Sequence, residues 1–260
     1  MTRTIIIGDV HGCASALHAL IAKLGVRLGD HVVSVGDLLD KGPDSAGAVK
    51  ILRHLRGQQG VRVTLVRGNH EESHERLRRN DAETAHTGKP NPMTRAEELR
   101  AVSASLSAKD VAFLETAVPV LYIPEHGAVV VHGGVLPTHT ELPSDWSEVS
   151  NKVRRDLEKV YRVRFVTPEG KMVALGEETD ADRFWADLYD GRFGHVFFGH
   201  EPFHKSSQPV SFPHATGLDL GAVHGNLLAA AVLDSSGVQF VTIPCNIVFS
   251  KPFHTVPFRI

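Results

Sequence analysis

The chain has 260 residues, of which 42% are hydrophobic and 22% charged, so it contains enough apolar material for a sizeable globular core. Its formal net charge of −2 provides no global electrostatic basis for binding nucleic acid or a membrane surface. Two cysteines are too few for a disulfide framework, and no apolar run is long enough for a secretion signal or a membrane span, so we expect a soluble, cytoplasmic protein.

The first third of the sequence repeats one pattern three times. In each repeat an apolar, β-branched run ends in a short glycine-containing turn, and a stretch with helical periodicity follows. Such units form a sheet of parallel strands covered by helices, and the turns at the carboxyl ends of the strands line one crevice in which ligands bind. The predicted strands are Thr4–Ile7, 32–35 and 61–66, and the predicted helices are Ala14–Leu24, about 46–55, and a third that ends near Arg79.

The remainder of the chain is predicted to add polar helical residues and further strands. A strand pair, 120–123 and 128–131, follows the helical residues, and the last third returns to strands, from HVFFGH to CNIVFS. Neither a linker nor an internal repeat is visible. We therefore predict a single α/β domain spanning 1–260, with a helical, cap-like insertion around 81–118 and a substrate-facing segment around 138–193.

Metal-type ligands directly follow five of the predicted strands. Each such residue alone is more simply explained as a surface residue or a helix cap. Chance rarely places them after several strands in succession, and the neighbouring glycines leave room for a ligand to approach. The residues concerned are Asp9, His11, Asp37, Asn69, His70, His132 and His200, and Asp219 brings a further carboxylate to the region.

The donor atoms of this set are hard oxygens and imidazole nitrogens, without a thiolate. Such a set favours Mn²⁺, Fe, Co²⁺ or Zn²⁺ over a structural zinc site, and it makes Ca²⁺ or Mg²⁺ alone a poorer match. Two ions about 3.5–4 Å apart are an established arrangement for phosphoryl chemistry. We therefore expect two divalent metal ions as cofactors, with Mn²⁺ as the first candidate and Fe, Zn, Co or Ni as the others.

Five motifs in this order, GDVHG, GDLLDKG, GNHE, VHGG and FGH, resemble the calcineurin-like metallophosphoesterase superfamily, in particular its phosphoprotein-phosphatase branch. The lysine in GDLLDKGPDS, together with GLDLGAVHG near the C-terminus, is more similar to the ApaH-like phosphatases, which are relatives of the diadenosine tetraphosphatases. The resemblance covers roughly residues 3–234. It implies a β-sandwich of mixed sheets flanked by helices.

The resemblance also implies a role for each motif residue. His70 matches the general acid of the family, and Asp40 would orient it. Asp37 would bridge the two ions, because each of its oxygens can serve one metal. The metal ligands would be Asp9 and His11 for the first ion, Asp37 for both, and Asn69, His132 and His200 for the second.

Two positive side chains are expected to hold the substrate phosphate. Lys41 stands where protein phosphatases of this branch usually have arginine, and a lysine offers a point charge instead of two parallel hydrogen bonds. A second clamp is expected between the HGG and GH motifs, where Arg155 is our choice and Arg154 and Arg183 are its rivals. The closing motif also departs from the family, since His224 and Asn226 occupy positions where relatives more often have an aromatic residue and glycine.

The predicted activity is hydrolysis of a phosphate ester or anhydride by a hydroxide that bridges the two ions. The expected substrates are dinucleoside polyphosphates such as Ap4A or related nucleotide pyrophosphates, and the alternative is a protein phosphatase acting on phosphoserine, phosphothreonine or phosphotyrosine. A non-catalytic metal-binding scaffold is disfavoured because no expected ligand is missing. A nuclease is disfavoured by the near-neutral charge, and we expect neither membrane association nor stable nucleic-acid binding.

Overall fold

The computed structural model describes residues 3–252, and apolar runs of the sequence form most of its strands. The strands are β1 (Thr4–Ile7), β2 (His31–Ser34), β3 (Arg62–Leu65), β4 (Leu121–Ile123), β5 (Ala128–Val130), β6 (Phe165–Val166), β7 (Arg183–Phe184), β8 (His195–Phe198), β9 (Val210–Phe212), β10 (Ala215–Gly217), β11 (Leu227–Asp234) and β12 (Gly237–Pro244). The α-helices are α1 (Ala14–Leu24), α2 (Ser45–Gly57), α3 (Asn69–Thr87), α4 (Ala96–Ser103), α5 (Ala108–Leu114), α6 (Asn151–Leu157) and α7 (Trp185–Leu188), and two 3-10 turns span Pro124–His126 and Glu158–Tyr161.

The three predicted strand–turn–helix repeats form the parallel part of the first sheet. This sheet has the strand order β12–β11–β1–β2–β3, in which β1, β2 and β3 are parallel. The helix α1 buries Leu17, Leu20 and Leu24 on one face, at the spacing expected of an amphipathic helix, and it ends at Gly25 in the left-handed conformation. The helix α2 begins after Asp44, whose side chain accepts a hydrogen bond from the backbone N–H of Gly47.

A second five-stranded sheet, with the order β4–β5–β8–β10–β9, packs against the first. Apolar side chains from both sheets meet in one cluster that includes Ile6, Val33 and Phe197, each at most 2% exposed. A second cluster joins the first sheet to α1 and α2, so that sheet is covered on both faces. The structure confirms the predicted α/β class with mixed sheets flanked by helices.

Three parts of the chain differ from the sequence prediction in their elements, and the first is α3, which continues to Thr87 instead of ending near Arg79. The predicted strand 245–250 forms a single bridge, between Val248 and His224, because the partner of β12 begins at Leu227 and offers no ladder beyond Pro244. The strands β6, β7 and β9 were not predicted, since each has three residues or fewer and shows no clear alternation. Among the described residues, no helix combines the length and apolarity needed to cross a membrane.

Candidate metal centre and catalytic site

Five turns that follow strands come together at one end of the two sheets. Three of them follow the parallel strands β1, β2 and β3 of the first sheet, and two follow β5 and β8 of the second. Of the predicted ligands in these turns, Asn69 is half-buried and the others are buried. The turns bring together the six residues predicted as metal ligands, Asp9, His11, Asp37, Asn69, His132 and His200.

Asp37 lies at the centre of this group, with its two carboxylate oxygens facing different histidines. Oδ2 is 3.5 Å from His11 Nε2, and Oδ1 is 3.3 Å from His132 Nε2. Two sets of side chains close enough to hold a metal ion share this aspartate, one with His11 and His70 and the other with His132 and His200. The geometry therefore suits two ions bridged by one carboxylate.

Backbone carbonyls fix the orientation of two site histidines. His11 Nδ1 lies 2.9 Å from the carbonyl oxygen of Leu39, and His132 Nδ1 lies 3.0 Å from that of Val35. A carbonyl can only accept, so each Nδ1 carries a hydrogen, and Nε2 beside Asp37 is the ring nitrogen left to bind a metal ion. This is how a backbone carbonyl fixes the tautomer of a ligating histidine.

Asp9 has an oxygen that the protein itself does not satisfy. Its Oδ2 accepts from the backbone N–H of His200 at 3.0 Å, whereas Oδ1 is buried without a hydrogen-bond partner. Glycine is required beside it, because a Cβ on Gly199 would lie 1.9 Å from Asp9 Oδ1. A buried, unpaired carboxylate oxygen is costly, so this atom fits a role as a metal ligand.

Backbone strain is concentrated in the same turns. Within residues 3–252, the non-glycine residues with positive φ are all predicted site residues. Positive φ is unfavourable for a side chain and persists where the surroundings fix the backbone, commonly at functional sites. These residues are His11 (φ 44°), Asp37 (φ 51°), Asp40 (φ 68°), Lys41 (φ 64°) and His200 (φ 70°).

The electrostatics of the cluster favour bound cations. Burial and the nearby Asp219 carboxylate raise the pKa of Asp9 well above its ordinary value. Burial also opposes ionisation of Asp37, but the adjacent His132 and His70 hold its pKa well below the ordinary value. Burial lowers the pKa of His132, yet the carboxylates of Asp37 and Asp9 outweigh it and raise that pKa to about 9. Several buried carboxylates around one point are the environment that a divalent cation stabilises.

His70 and Asp40 form the predicted pair beside the metal ligands. His70 Nδ1 donates to Asp40 Oδ2 at 2.6 Å, and His70 Nε2 lies 3.8 Å from Asp37 Oδ2. Asp40 is buried, but its hydrogen bonds with His70 and His74 outweigh this and hold its pKa well below the ordinary value. Because Asp40 remains anionic, it accepts from Nδ1 of His70 and so fixes the tautomer of that ring.

Two further buried residues, Glu71 and His74, support the site although the sequence pattern did not reveal them. Glu71 accepts from the backbone N–H groups of Asp37 (2.7 Å) and Gly68 (3.0 Å), so it ties two of the site turns together. His74 Nε2 lies 2.8 Å from the second oxygen of Asp40. The position of His74, one helical turn after His70, is a signal that could have revealed it.

Comparison with known proteins identifies the family of the chain. A family model described as calcineurin-like phosphoesterase matches residues 2–220 of the chain. The chain belongs to the calcineurin-like metallophosphoesterase family. The predicted resemblance is thereby confirmed, and the His and Asp groups described above could hold the divalent metal centre that this family uses.

Individual relatives of this metallophosphoesterase carry more than one activity in their names. The asymmetrical bis(5'-nucleosyl)-tetraphosphatase PrpE of Bacillus subtilis (strain 168) is 28% identical over 261 residues, covering 95% of this chain and 96% of that protein. Serine/threonine-protein phosphatase 1 of Salmonella typhimurium is also 28% identical, covering 87% and 89%. The crystal structure of a candidate diadenosine tetraphosphatase superimposes with a TM-score of 0.69 at 26% identity, covering 94% and 93%.

Lys41, which is predicted to hold the substrate phosphate, lies beside His11 in the metallophosphoesterase site. Its Nζ is 2.9 Å from His11 Nε2, so the ammonium group borders the ligand cluster. The adjacent Asp40 belongs to the pair with His70, and both residues of this turn have positive φ. The turn therefore directs a positive charge and a carboxylate to the same side of the cluster.

The structure does not bring Arg155 to the cluster. Its Nε donates at 3.3 Å to a backbone carbonyl of its own helix, α6. Arg154 donates to the carbonyl of Trp146, and Arg183 is exposed on β7. By contrast Arg162, which the sequence analysis did not single out, lines the cavity beside His70. Several arginines lie close together in this part of the chain, and the sequence pattern alone could not distinguish them.

His224 and Asn226, in the motif that departs from the family pattern, form hydrogen bonds to neighbouring loops. His224 Nδ1 lies 2.7 Å from the carbonyl oxygen of Ser250, so it donates to the segment after β12. Asn226 donates from its side chain to the carbonyls of Ser206 and Leu220, at 2.8 Å each. These two residues hold loops together beside the sheet, and neither belongs to the sets that could hold a metal.

Proposed function

We propose that this metallophosphoesterase hydrolyses phosphoanhydride bonds of dinucleoside polyphosphates such as Ap4A, with two divalent ions bridged by Asp37. The observation that carries the proposal is the position of Asp37, whose Oδ2 faces His11 and His70 and whose Oδ1 faces His132. The relatives named as bis(5'-nucleosyl)-tetraphosphatases support the substrate class. The ligand roles are those set out in the sequence analysis.

The protein groups each have a defined task in this reaction. When bound, the two ions would polarise a phosphoryl group and lower the pKa of water. Asp9 and His11 would hold the first ion, and His132, His200 and Asn69 the second. Asp37 would hold both.

His70 is proposed to protonate the leaving phosphate oxygen. Its Nδ1–H is engaged by Asp40, so the proton at Nε2 is the one that it can deliver. Nε2 also faces the Asp37 side of the site, where the scissile phosphate would bind. Lys41 would balance negative charge on the non-bridging oxygens, as positive groups do in phosphoryl transfer.

A protein phosphatase is the second candidate, and the relative from Salmonella typhimurium favours it. Against it stands a partly enclosed cavity of about 470 Å³ beside His70, bordered by α3 and the segment 92–99. This volume lies within the range of small-molecule sites and suits a nucleotide. Lys41, in place of arginine, gives modest further support to a nucleotide substrate.

The experiment that tests the proposal measures phosphate release from Ap4A, a capped RNA and phosphopeptides, with Mn²⁺, Co²⁺, Ni²⁺ or Mg²⁺ supplied in parallel. We expect the highest kcat/KM with Ap4A, and higher activity with Mn²⁺ than with Mg²⁺. Chromatography of the nucleotide products shows which anhydride bond is cleaved. A higher kcat/KM on phosphopeptides than on Ap4A would replace the first candidate by the second.

A further inference from the structure

The cavity beside the metal ligands extends along α3. Asn69 and His70 line its inner end, and Arg76 and Asn80 line the part farther from the metal ligands. The opposite wall is the segment 92–99, which includes the apolar side chain of Met93. The cavity thus has a polar floor that leads away from the catalytic groups and a partly apolar wall.

One face of α3 forms this floor. The lining residues Asn69, Ser73, Arg76 and Asn80 are separated by four, three and four positions, which places them in one row along the helix. With a rise of about 1.5 Å per residue, Arg76 lies about 10 Å along the axis from Asn69. A predicted metal ligand and a guanidinium are therefore aligned along one path.

Arg76 differs from the other arginines of the cavity in having no partner. Arg95 pairs with Glu98 at 2.8 Å, and Arg162 pairs with Glu72 at 2.5 Å. Within residues 3–252 no hydrogen bond or ion pair is formed by the side chain of Arg76, and its Nε is buried without an acceptor. Because Arg76 lines the cavity and its guanidinium has no anionic partner in the protein, it is free to pair with an anion bound there.

We propose that Arg76 binds the phosphate chain beyond the scissile phosphate and so selects nucleotide polyphosphates over simple phosphate monoesters. This inference rests on the proposed function, since it assumes that the scissile phosphate binds at the Asp37 cluster. The planar guanidinium can hold two phosphate oxygens through parallel hydrogen bonds. The apolar wall with Met93 then contacts the leaving nucleoside.

The test compares wild type with Arg76→Ala, Arg76→Lys and the control Arg79→Ala, which changes an exposed arginine of the same helix. Each protein is assayed with Mn²⁺ on Ap4A and on p-nitrophenyl phosphate, and tripolyphosphate is tested as an inhibitor of the second reaction. For Arg76→Ala we expect a KM for Ap4A about 10- to 100-fold higher, as expected for loss of hydrogen bonds to a charged group. Activity on p-nitrophenyl phosphate is expected to change less than threefold.

The lysine variant keeps the charge without the planar fork, so its KM for Ap4A should lie between those of wild type and the alanine variant. Tripolyphosphate should inhibit Arg76→Ala at least tenfold more weakly than either wild type or Arg79→Ala. Equal inhibition of all variants would overturn the role of Arg76, as would equal losses on both substrates. A wild-type enzyme inactive on Ap4A refutes the proposed function instead, and the inhibition measurement still decides the role of Arg76.

Discussion

The side chain of Asp37 combines two properties that suit it to a position between two sets of histidines. It has two equivalent oxygens, and it is negatively charged between histidine sets on opposite sides. Its backbone also adopts φ of 51°, supported by the hydrogen bond from its N–H to Glu71. An asparagine would fit the same space but would supply one oxygen and no charge.

The substitution Asp37→Asn should therefore abolish detectable phosphate release and lower the metal content of the purified protein. Metal per chain is measured by elemental analysis after dialysis against Mn²⁺. The exposed Asp190 provides a matched control, since Asp190→Asn removes the same charge from the surface. An Asp37→Asn protein that retains the full metal content of wild type would contradict the bridging role.

His70 is argued to act on the leaving group and not on metal binding. The substitution His70→Asn should lower kcat by about 10²–10⁴-fold, because a general acid contributes that much to proton transfer. The decrease in kcat should be greatest for substrates with poor leaving groups. A plot of log kcat against the pKa of the leaving group, for variant and wild type, measures this dependence. Equal activity of variant and wild type on an alkyl phosphate ester would rule out general-acid catalysis by His70.

At the level of elements, His74 joins α3 both to α4 and to Asp40 of the catalytic pair. His74 on α3 reaches Asp40 with Nε2, and its Nδ1 lies 2.9 Å from Ser103 Oγ at the end of α4. His74 is 1% exposed, so no water competes for these bonds. The helix that borders the cavity is thus connected to the residue that orients His70.

The substitution His74→Phe should lower kcat on Ap4A by about 10- to 100-fold, a loss typical of residues that orient a functional group through hydrogen bonds. KM should change little, because His74 does not line the cavity. His74→Gln can still donate to Asp40 and should recover part of kcat. An identical kcat for the phenylalanine and glutamine variants would show that His74 serves packing alone.

The elements that the sequence predicted well are those whose neighbours are close along the chain. Local strand–turn–helix patterns were sufficient for β1, β2 and β3 and for the residues that follow them. The pairing of β5 with β8 joins residues more than sixty positions apart, and it could be expected only from the family resemblance. For the same reason the cavity-lining Arg162 could not be distinguished from Arg155, since its position depends on how the segment 138–193 folds back.

The pairing of β2 with β3 contains a histidine that favours its neutral form. Burial and the nearby Arg62 lower the pKa of His31 to about 4, from an ordinary value of 6.5. The unfolded chain therefore takes up a proton near pH 6.5, whereas the folded protein does so only near pH 4. With respect to His31, the folded protein is therefore most stable above pH 6.5. Its free energy of unfolding decreases as the pH falls from 6.5 towards 4, because the unfolded state binds more protons in that interval.

Between pH 7.5 and 4.5, His31 should account for about 2–3 kcal/mol of lost unfolding free energy. Denaturant unfolding of wild type and His31→Gln at both pH values, each with chelator present, isolates this contribution. Lowering the pH should reduce the free energy of unfolding of wild type more than that of His31→Gln. A difference that is the same at both pH values would contradict the lowered pKa of His31.

At the level of the whole molecule, the ligand cluster connects the two sheets. Asp9, His11 and Asp37 follow strands of the first sheet, whereas His132 and His200 follow strands of the second. Burial and the neighbouring Asp219 carboxylate raise the pKa of Asp9, and Asp9 Oδ1 has no hydrogen-bond partner. Bound cations would relieve these costs on both sides at once.

Metal binding should therefore stabilise the complete sandwich. Mn²⁺ at one hundred times its Kd adds about 2.7 kcal/mol if it binds only the folded state, so Tm should rise with the logarithm of Mn²⁺ concentration. In His132→Asn the second ion loses a ligand from the second sheet, so the part of this rise that comes from the second ion should disappear even though the first sheet is unchanged. Differential scanning calorimetry over a Mn²⁺ series, starting from chelated protein, measures both. An equal rise in Tm for wild type and His132→Asn would mean that the stabilising ion is held by the first sheet alone, and the cluster would then not link the sheets energetically.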